Sequence, residues 1–508
     1  MAGIIASGPA KDVLLLAASG RILCDDARMT DAITQTASRG EAPEEHHLQR
    51  QLRLRDLVLA QVLTVVGSSW VGLAAGLGRA QTVAWLLALA GFYLPMAVAV
   101  FYLNRVMPLE GGLYVWARRA FGDALGFMTA WNIWLYALSS IATILFQIPS
   151  EFSYMVGPSA AHLPENHTFV YSLLAVLVAL LAWTAVRGLS LGKWIHNVSG
   201  ASMILAFTLL IVAPGWAFLH GHPVHFAPFT FALPHTDRES LALVGQILFA
   251  SSGLEYIAIL AGETHSPARD IGRSVVIATP IVFAMFMLGT GSVLAFHNAN
   301  PGTAINYIAP IPQTLRLAFT GSNAATLMAQ FVILLLQIRI LGACSYLFTG
   351  VTRLPMTAGW DHLAPRWFTR LHPRFRTPAN SIYFTTAVVA AMLVLGSIGV
   401  RAAEGFDVLN NVSTEFYVLS YIAMFAIGLF GAYNLRRHLP RWVIAWCGLG
   451  GLTCVLILVL NAYPFVAVAS PLGFAAKIVG AVAGANLLGY FFYRRAANQV
   501  RAASNLRA

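Results

Sequence analysis

Val65-Val66-Gly67-Ser68-Ser69-Trp70-Val71-Gly72 and Leu248-Phe249-Ala250-Ser251-Ser252-Gly253-Leu254-Glu255 each interrupt an apolar run from within. Glycine weakens a helix, and serine offers the backbone competing hydrogen bonds, so both stretches predict local unwinding. Unwound backbone at membrane depth is tolerated only where it is buried in protein or lines a cavity. The half-helix N-terminus at such a break favours an anionic group, and the freed carbonyls favour a cation. Small residues also serve close helix packing in membranes, which is the plainer explanation of either stretch taken alone. Their matched placement favours a site.

The surrounding chain makes the membrane setting plain. Of 508 residues, 58% are hydrophobic and 10% charged, with a mean hydropathy of +0.69; a soluble chain carries about a quarter charged residues. A helix needs roughly 20 apolar residues to cross a bilayer. Twelve such runs lie near 57–77, 83–103, 125–147, 168–186, 195–218, 240–262, 274–296, 324–350, 380–399, 411–434, 441–462 and 470–493. They are too long and unbroken for the alternating strands of an outer-membrane barrel. The reading is an all-α polytopic membrane protein of about twelve transmembrane helices.

The interrupted runs are the first and the sixth. Five crossings separate them, so the two run in opposite directions, which is the geometry of an inverted repeat with a central site. The net charge of +11 is distributed by side: 26 Lys and Arg fall in the N-terminal tail, the even-numbered connections and the C-terminus, against four on the other side. That asymmetry points to a cytoplasmic-membrane protein with both termini cytoplasmic, and a lipid rather than a nucleic-acid partner. Residues 1–51 are polar and aperiodic and read as a disordered tail, within which Met29 is an alternative start. Residues 52–495 read as one membrane domain and 496–508 as a cytoplasmic C-terminal tail. The four cysteines show no metal or redox spacing. His220, His222, His225 and His235 crowd one connection without a zinc template, so neither a metal nor a cofactor is expected.

The stretch Pro108-Leu109-Glu110-Gly111-Gly112-Leu113-Tyr114-Val115-Trp116, with Phe121-Gly122 and Gly126-Phe127, resembles a signature of the amino acid–polyamine–organocation superfamily permeases. Residues 249–273 (FASSGLEYIAILAGETHSPARDIGR) resemble that family's sixth helix and following loop, and residues 350–381 its loop after the eighth helix. The likeness runs from about Leu54 to Tyr493. It implies a leucine-transporter-like fold, with helices 1–5 and 6–10 as inverted repeats, helices 11 and 12 accessory, and alternating access. It implies a transporter of amino acids or related amines, not an enzyme, with exchange of one substrate for another or a sensor that has lost flux as alternatives. By position, backbone N–H groups of Gly67, Ser68 and Ser69 would meet a substrate carboxylate. Phe249, Ala250, Ser251, Ser252 and the Gly253 break would offer carbonyls to the ammonium, with Phe249 as an aromatic gate. The family usually has a second glycine where Ser69 stands and a small aliphatic where Trp70 stands, so Trp70 is expected to narrow the pocket or stack on the substrate.

Charge inside a membrane is costly and marks functional candidates. Glu255 is a candidate proton carrier, or a partner of Arg339, the one arginine within a predicted span. Ser345 and Thr349 are the hydroxyls available for a sodium site, and hydroxyls also serve as routine interhelical glue; H+ is the favoured coupling ion, with ion-free exchange open. Glu263, Arg269, Asp270 and Arg353 are candidate inner-gate ion pairs, and Glu415 either an outer gate or a solvated mouth residue. Trp131, Trp134 and Tyr136 follow helix spacing, as packing or pocket lining.

Overall fold

A computed structural model describes residues 53–505, apart from 108–111, 227–228, 255–263, 265–266, 320–321, 358–366, 369, 398–401 and 432–438. The predicted disordered tail and Glu255 and Glu263 therefore lie outside the described residues, as does the Arg353 side chain.

All twelve apolar runs carry a described helix. The first is a pair, α1 (Leu54–Val65) and α2 (Ser68–Gly76), bent by 46° at the break. The second is α3 (Gln81–Ala88), a π turn over Leu89–Tyr93, and α4 (Leu94–Val106). Pro95, at the start of α4, has no N–H to offer the Gly91 carbonyl four residues back. That carbonyl instead accepts a 2.8 Å hydrogen bond from the Thr453 hydroxyl of a neighbouring helix. After the short α5 (Leu113–Phe121) come α6 (Asp123–Leu145) and, continuing it, α7 (Ile148–Val156). Next are α8 (His167–Arg187), α9 (Leu189–Leu219) and α10 (Arg238–Phe249). The Asp237 side chain caps α10 by accepting from Ser240 N at 3.0 Å, which holds its carboxylate below the usual range. The chain continues through α11 (Pro267–Ala299), α12 (Pro310–Ala318), α13 (Asn323–Thr357), α14 (Ala379–Ser397), α15 (Ala402–Phe430), α16 (Arg441–Leu460) and α17 (Pro471–Asn505).

Among the described residues nine helices are long and apolar enough to cross a membrane, or ten with the bent pair counted as one span. This is an integral membrane protein. Its most apolar windows are buried to very different extents, 89% for the α6–α7 run, 72% for α13 and 67% for α15, against 17% for α17. The first three form the interior, and α17 turns Val479 and Leu487 outward toward lipid.

The expected end of the third span at residue 147 needs correction. The helix runs on to Val156 and buries Glu151 completely. Asp407, placed by hydropathy in a connection, is equally buried near the start of α15.

Small residues set the closest crossings. A Cβ on Gly342 of α13 would lie 2.0 Å from Ser199 Oγ of α9, and that hydroxyl donates to the Ile338 carbonyl at 3.0 Å. Gly342→Ala should therefore destabilise the protein by about 1–3 kcal/mol through overpacking. Adding Ser199→Gly should recover most of the loss. Thermal melting of the detergent-solubilised variants measures both, and additive losses would show that the two positions do not share this contact.

Candidate functional site

The break between α1 and α2 leaves the first N–H groups of α2 without intrahelical acceptors. No side chain caps them. Gly67 is extended (φ −112°, ψ 144°), and the reason for glycine there is space: a Cβ would sit 2.7 Å from Trp70 Cδ1. The indole lies back over the break. In the second interrupted run α10 ends at Phe249, and Gly253 adopts φ +108°, a region that side chains disfavour. Its N–H donates to the Tyr421 hydroxyl at 2.8 Å, so the break is tied to α15.

The two breaks meet. A cavity of about 70 Å³ is lined by Gly67, Ser69 and Trp70 from one and by Phe249, Ala250 and Ser252 from the other. The positive end of α2 and the negative end of α10 thus border one space. Tyr136, Gln147, Arg339 and Asn410 complete its polar wall. Phe249 packs edge-on against Trp70, Tyr136 and Tyr417 at centroid distances of 6.4, 6.4 and 6.1 Å. Tyr136 and Tyr417 stack on each other at 3.6 Å. Of the aromatics read from α6, only Tyr136 lines the cavity; Trp131 donates to the Ala485 carbonyl of α17, and Trp134 stacks on Phe384.

Ser68 turns its side chain the other way, into a buried polar network. Its hydroxyl lies 3.1 Å from Glu151 Oε1 and 3.2 Å from Gln147 Oε1, and accepts from Arg339 Nη2 at 3.0 Å. Gln337 Nε2 donates to Glu151 Oε2 at 2.9 Å. Arg339 lines the cavity and its buried Nε has no hydrogen-bond partner among the described residues, and neither has the buried Ser251 hydroxyl.

The remaining candidates fall elsewhere. Neither Ser345 nor Thr349 lines the cavity, and the Thr349 hydroxyl is bonded back to the Ser345 carbonyl within its own helix. Glu415 is buried instead of solvated at a mouth, in a separate pocket of about 460 Å³ among α6, α15, α16 and α17. Arg269 is exposed and Asp270 half-buried, and no ion pair joins them to a described residue. The histidine-rich connection is used otherwise: His220 stacks on Trp216, and His225 Nδ1 lies 3.2 Å from the Asn298 carbonyl.

Beyond the cavity lies a vestibule of about 840 Å³, bordered by Ser150, Tyr154, Asn306, Tyr307 and Arg316. Burial, with the charge of Glu239, pushes the Tyr307 phenol up to about 12. Arg316 donates from Nε and Nη2 to the Tyr154 and Met155 carbonyls at 2.5 and 2.6 Å, and burial lowers its guanidinium from its ordinary value. A second polar knot joins vestibule and cavity. Asp407 accepts from Asn411 Nδ2 and from Phe465 N, and Gln246 of α10 bonds Asn410 and Asn411 at 2.6 Å each.

Glu151, Gln147, Gln337 and this second knot were not among the candidates read from the sequence. A signal existed for the first pair. Ser140, Thr143, Gln147 and Glu151 follow helical spacing, so the polar face of α6 continues past its apolar run.

The N-terminus of one half-helix and the C-terminus of another meet at one cavity within a membrane protein, and known proteins give its class: a membrane transporter. A family model described as amino acid permease matches residues 57–483, and the chain belongs to this family. An uncharacterized transporter of Legionella pneumophila is 23% identical over 435 residues, spanning 82% of this chain and 91% of that protein. The lysine-specific permease of Escherichia coli (strain K12) is 25% identical over 419 residues, 79% of this chain and 81% of that one. Among solved structures, MhsT in complex with L-phenylalanine superposes with a TM-score of 0.57 at 15% identity, covering 81% of this chain and 98% of MhsT. That likeness shows the leucine-transporter-like fold.

The backbone of the second break is directly testable. Gly253→Ala should cost about 1–3 kcal/mol, because a side chain is strained at this φ. Ser252→Ala, one residue earlier, should cost less than about 1 kcal/mol. Melting temperatures of the purified variants compare the two.

Proposed function

We propose that this permease is a secondary active transporter that carries amino acids or related amines across the cytoplasmic membrane by alternating access, driven by a proton gradient. The observation that carries the reading is the meeting of α2's N-terminus and α10's C-terminus in one cavity. The substrate carboxylate takes the free N–H groups of Gly67, Ser68 and Ser69, with the unpartnered Arg339 Nε within the same wall. The ammonium takes carbonyls of the Phe249–Gly253 segment. A zwitterion satisfies both ends, which a solute without charged groups does not.

In this reading helices 1–5 and 6–10 are inverted repeats, with helices 11 and 12 flanking them and both termini cytoplasmic. The vestibule is then the outer approach. Phe249, between Trp70 and Tyr417, closes the cavity toward it. A volume of about 70 Å³ is far below the several hundred typical of a drug-sized ligand. Substrate side chains larger than a few atoms therefore require Trp70 to swing aside.

Proteoliposomes loaded and diluted across pH or sodium gradients, with a labelled panel of amino acids and amines, test the function. Uptake of at least one of them, accelerated by an inward proton gradient, is the expected result. Exchange without any response to pH or sodium would identify an ion-free exchanger. Binding without flux would identify a sensor, and neither binding nor flux for the whole panel would sink the reading. Trp70→Leu should shift preference toward bulkier side chains by about tenfold or more, measured as the ratio of initial rates within the panel.

A further inference from the structure

Glu151 is fully buried and absent from the cavity wall, yet it is one hydroxyl away from the seat proposed for the substrate carboxylate. Counting hydrogens shows what its charge state does. The Ser68 hydroxyl has one proton to donate and two acceptors within reach, Glu151 Oε1 and Gln147 Oε1. With Glu151 ionised, the Ser68 hydroxyl donates to the carboxylate, and the Arg339 charge has its counter-charge just beyond that hydroxyl. With Glu151 protonated, the carboxyl O–H donates to Ser68 Oγ, and Ser68 turns its own proton to Gln147 Oε1. Gln147 lines the cavity, and its amide nitrogen lies 3.5 Å from Ser69 Oγ on the first turn of α2. The same protonation leaves Arg339 without a compensating negative charge beside the cavity.

We infer that Glu151, acting through Ser68 and Arg339, is the proton-coupling group of this permease, so that protonation there and binding of a substrate carboxylate in the cavity reinforce each other. The inference rests on the transport reading given above and assigns its coupling site to the end of the third span instead of Glu255. The step is a simple proton binding: an O–H bond forms at a Glu151 oxygen with a proton taken from water on one side, and breaks toward water on the other. The co-transported charge is then that proton, since the zwitterion is neutral.

The location suits alternating access. On α7, Ser150, Ser153 and Tyr154 border the vestibule, while Gln147 just before it borders the cavity, and Glu151 lies between the two spaces. The other titratable groups around it leave the Ser68–Arg339 pair in control. Arg339 faces it from α13, and the buried Cys344 thiol, further along that helix, lies 4.0 Å from the Ile141 carbonyl of α6 and interacts with Arg339. From α12, Arg316 is spent on the Tyr154 and Met155 carbonyls. Tyr154 belongs to α7 itself, and His162 and Glu165 on the following turn are exposed. Among the described residues no ion pair joins Glu151 directly to Arg339, so the hydroxyl of Ser68 is the link.

Binding and two transport modes separate this inference from its parent. In proteoliposomes the wild type should accumulate substrate under an inward proton gradient, and its apparent affinity should fall as pH rises, because coupling is reciprocal. Glu151→Gln, which fixes the uncharged shape, should lose gradient-driven accumulation by tenfold or more. It should still catalyse counterflow of labelled against unlabelled substrate, with an affinity that no longer varies with pH. Glu151→Gln that accumulates substrate under the gradient like the wild type, or keeps its pH-dependent affinity, overturns the inference. If that variant does not fold, Ser68→Ala decides: a lost pH dependence of affinity supports the relay and an unaltered one refutes it. A wild type that shows counterflow without any response to pH refutes the coupling role and leaves transport standing. A wild type with no counterflow for any amino acid or amine removes the transport reading itself.

Discussion

A peptide group in hydrocarbon has no water to turn to, so each interrupted helix must find its missing hydrogen bonds inside the protein or offer them to a solute. Three interruptions here show the options. At the π turn before Pro95 the vacated Gly91 carbonyl is met by Thr453, and the matter ends in packing. At Gly253 the N–H is met by the Tyr421 hydroxyl, which orients the end of α10 without covering all of its carbonyls. At Gly67 the first N–H groups of α2 are left to a cavity. The three differ in how fully the protein itself meets the freed groups.

Opening a helix also determines what surrounds it. Phe249 sits in a cage of Trp70, Tyr136 and Tyr417, and the polar side chains of Gln147, Arg339 and Asn410 break that cage on one side. Aromatic edges exclude water and keep the local dielectric low, which strengthens every charge interaction with a solute inside. The same low dielectric makes an uncompensated ion costly, and the arrangement of Ser68 between Arg339 and Glu151 is a way to hold two charges near each other without locking them together.

The sequence disclosed more of the fold than of the site. Apolar runs and the paired Gly/Ser interruptions carry their meaning locally, so the helices, the breaks and their convergence could be anticipated. Glu151 and Asp407 could not be found in the same way, because hydropathy assigns a carboxylate to the nearest connection and takes no account of what later folds over it. Glu415 erred in the opposite sense: it lies in an apolar run close to an end, which reads as a mouth, whereas the rotation of α15 turns it toward α16 and α17. Rotation about a helix axis depends on partners hundreds of residues away, and a single chain does not reveal it. Gln246, Asn411 and Asp407 tell the same story, since their mutual bonds join α10 to α15 across 165 positions for one pair.

The contacts of α12 have a mechanical meaning. Its first residue, Pro310, occupies the space where Gly72 of α2 lacks a side chain, and a Cβ there would stand 2.5 Å from the proline ring. Its last turn is clamped through Arg316 to the end of α7. The short α12 is thus a crossbar that touches α2 at one end and α7 at the other. Half-helix, crossbar and α7 form a closed linkage, so a displacement at the break before α2 would act as leverage on the segment that bears Glu151.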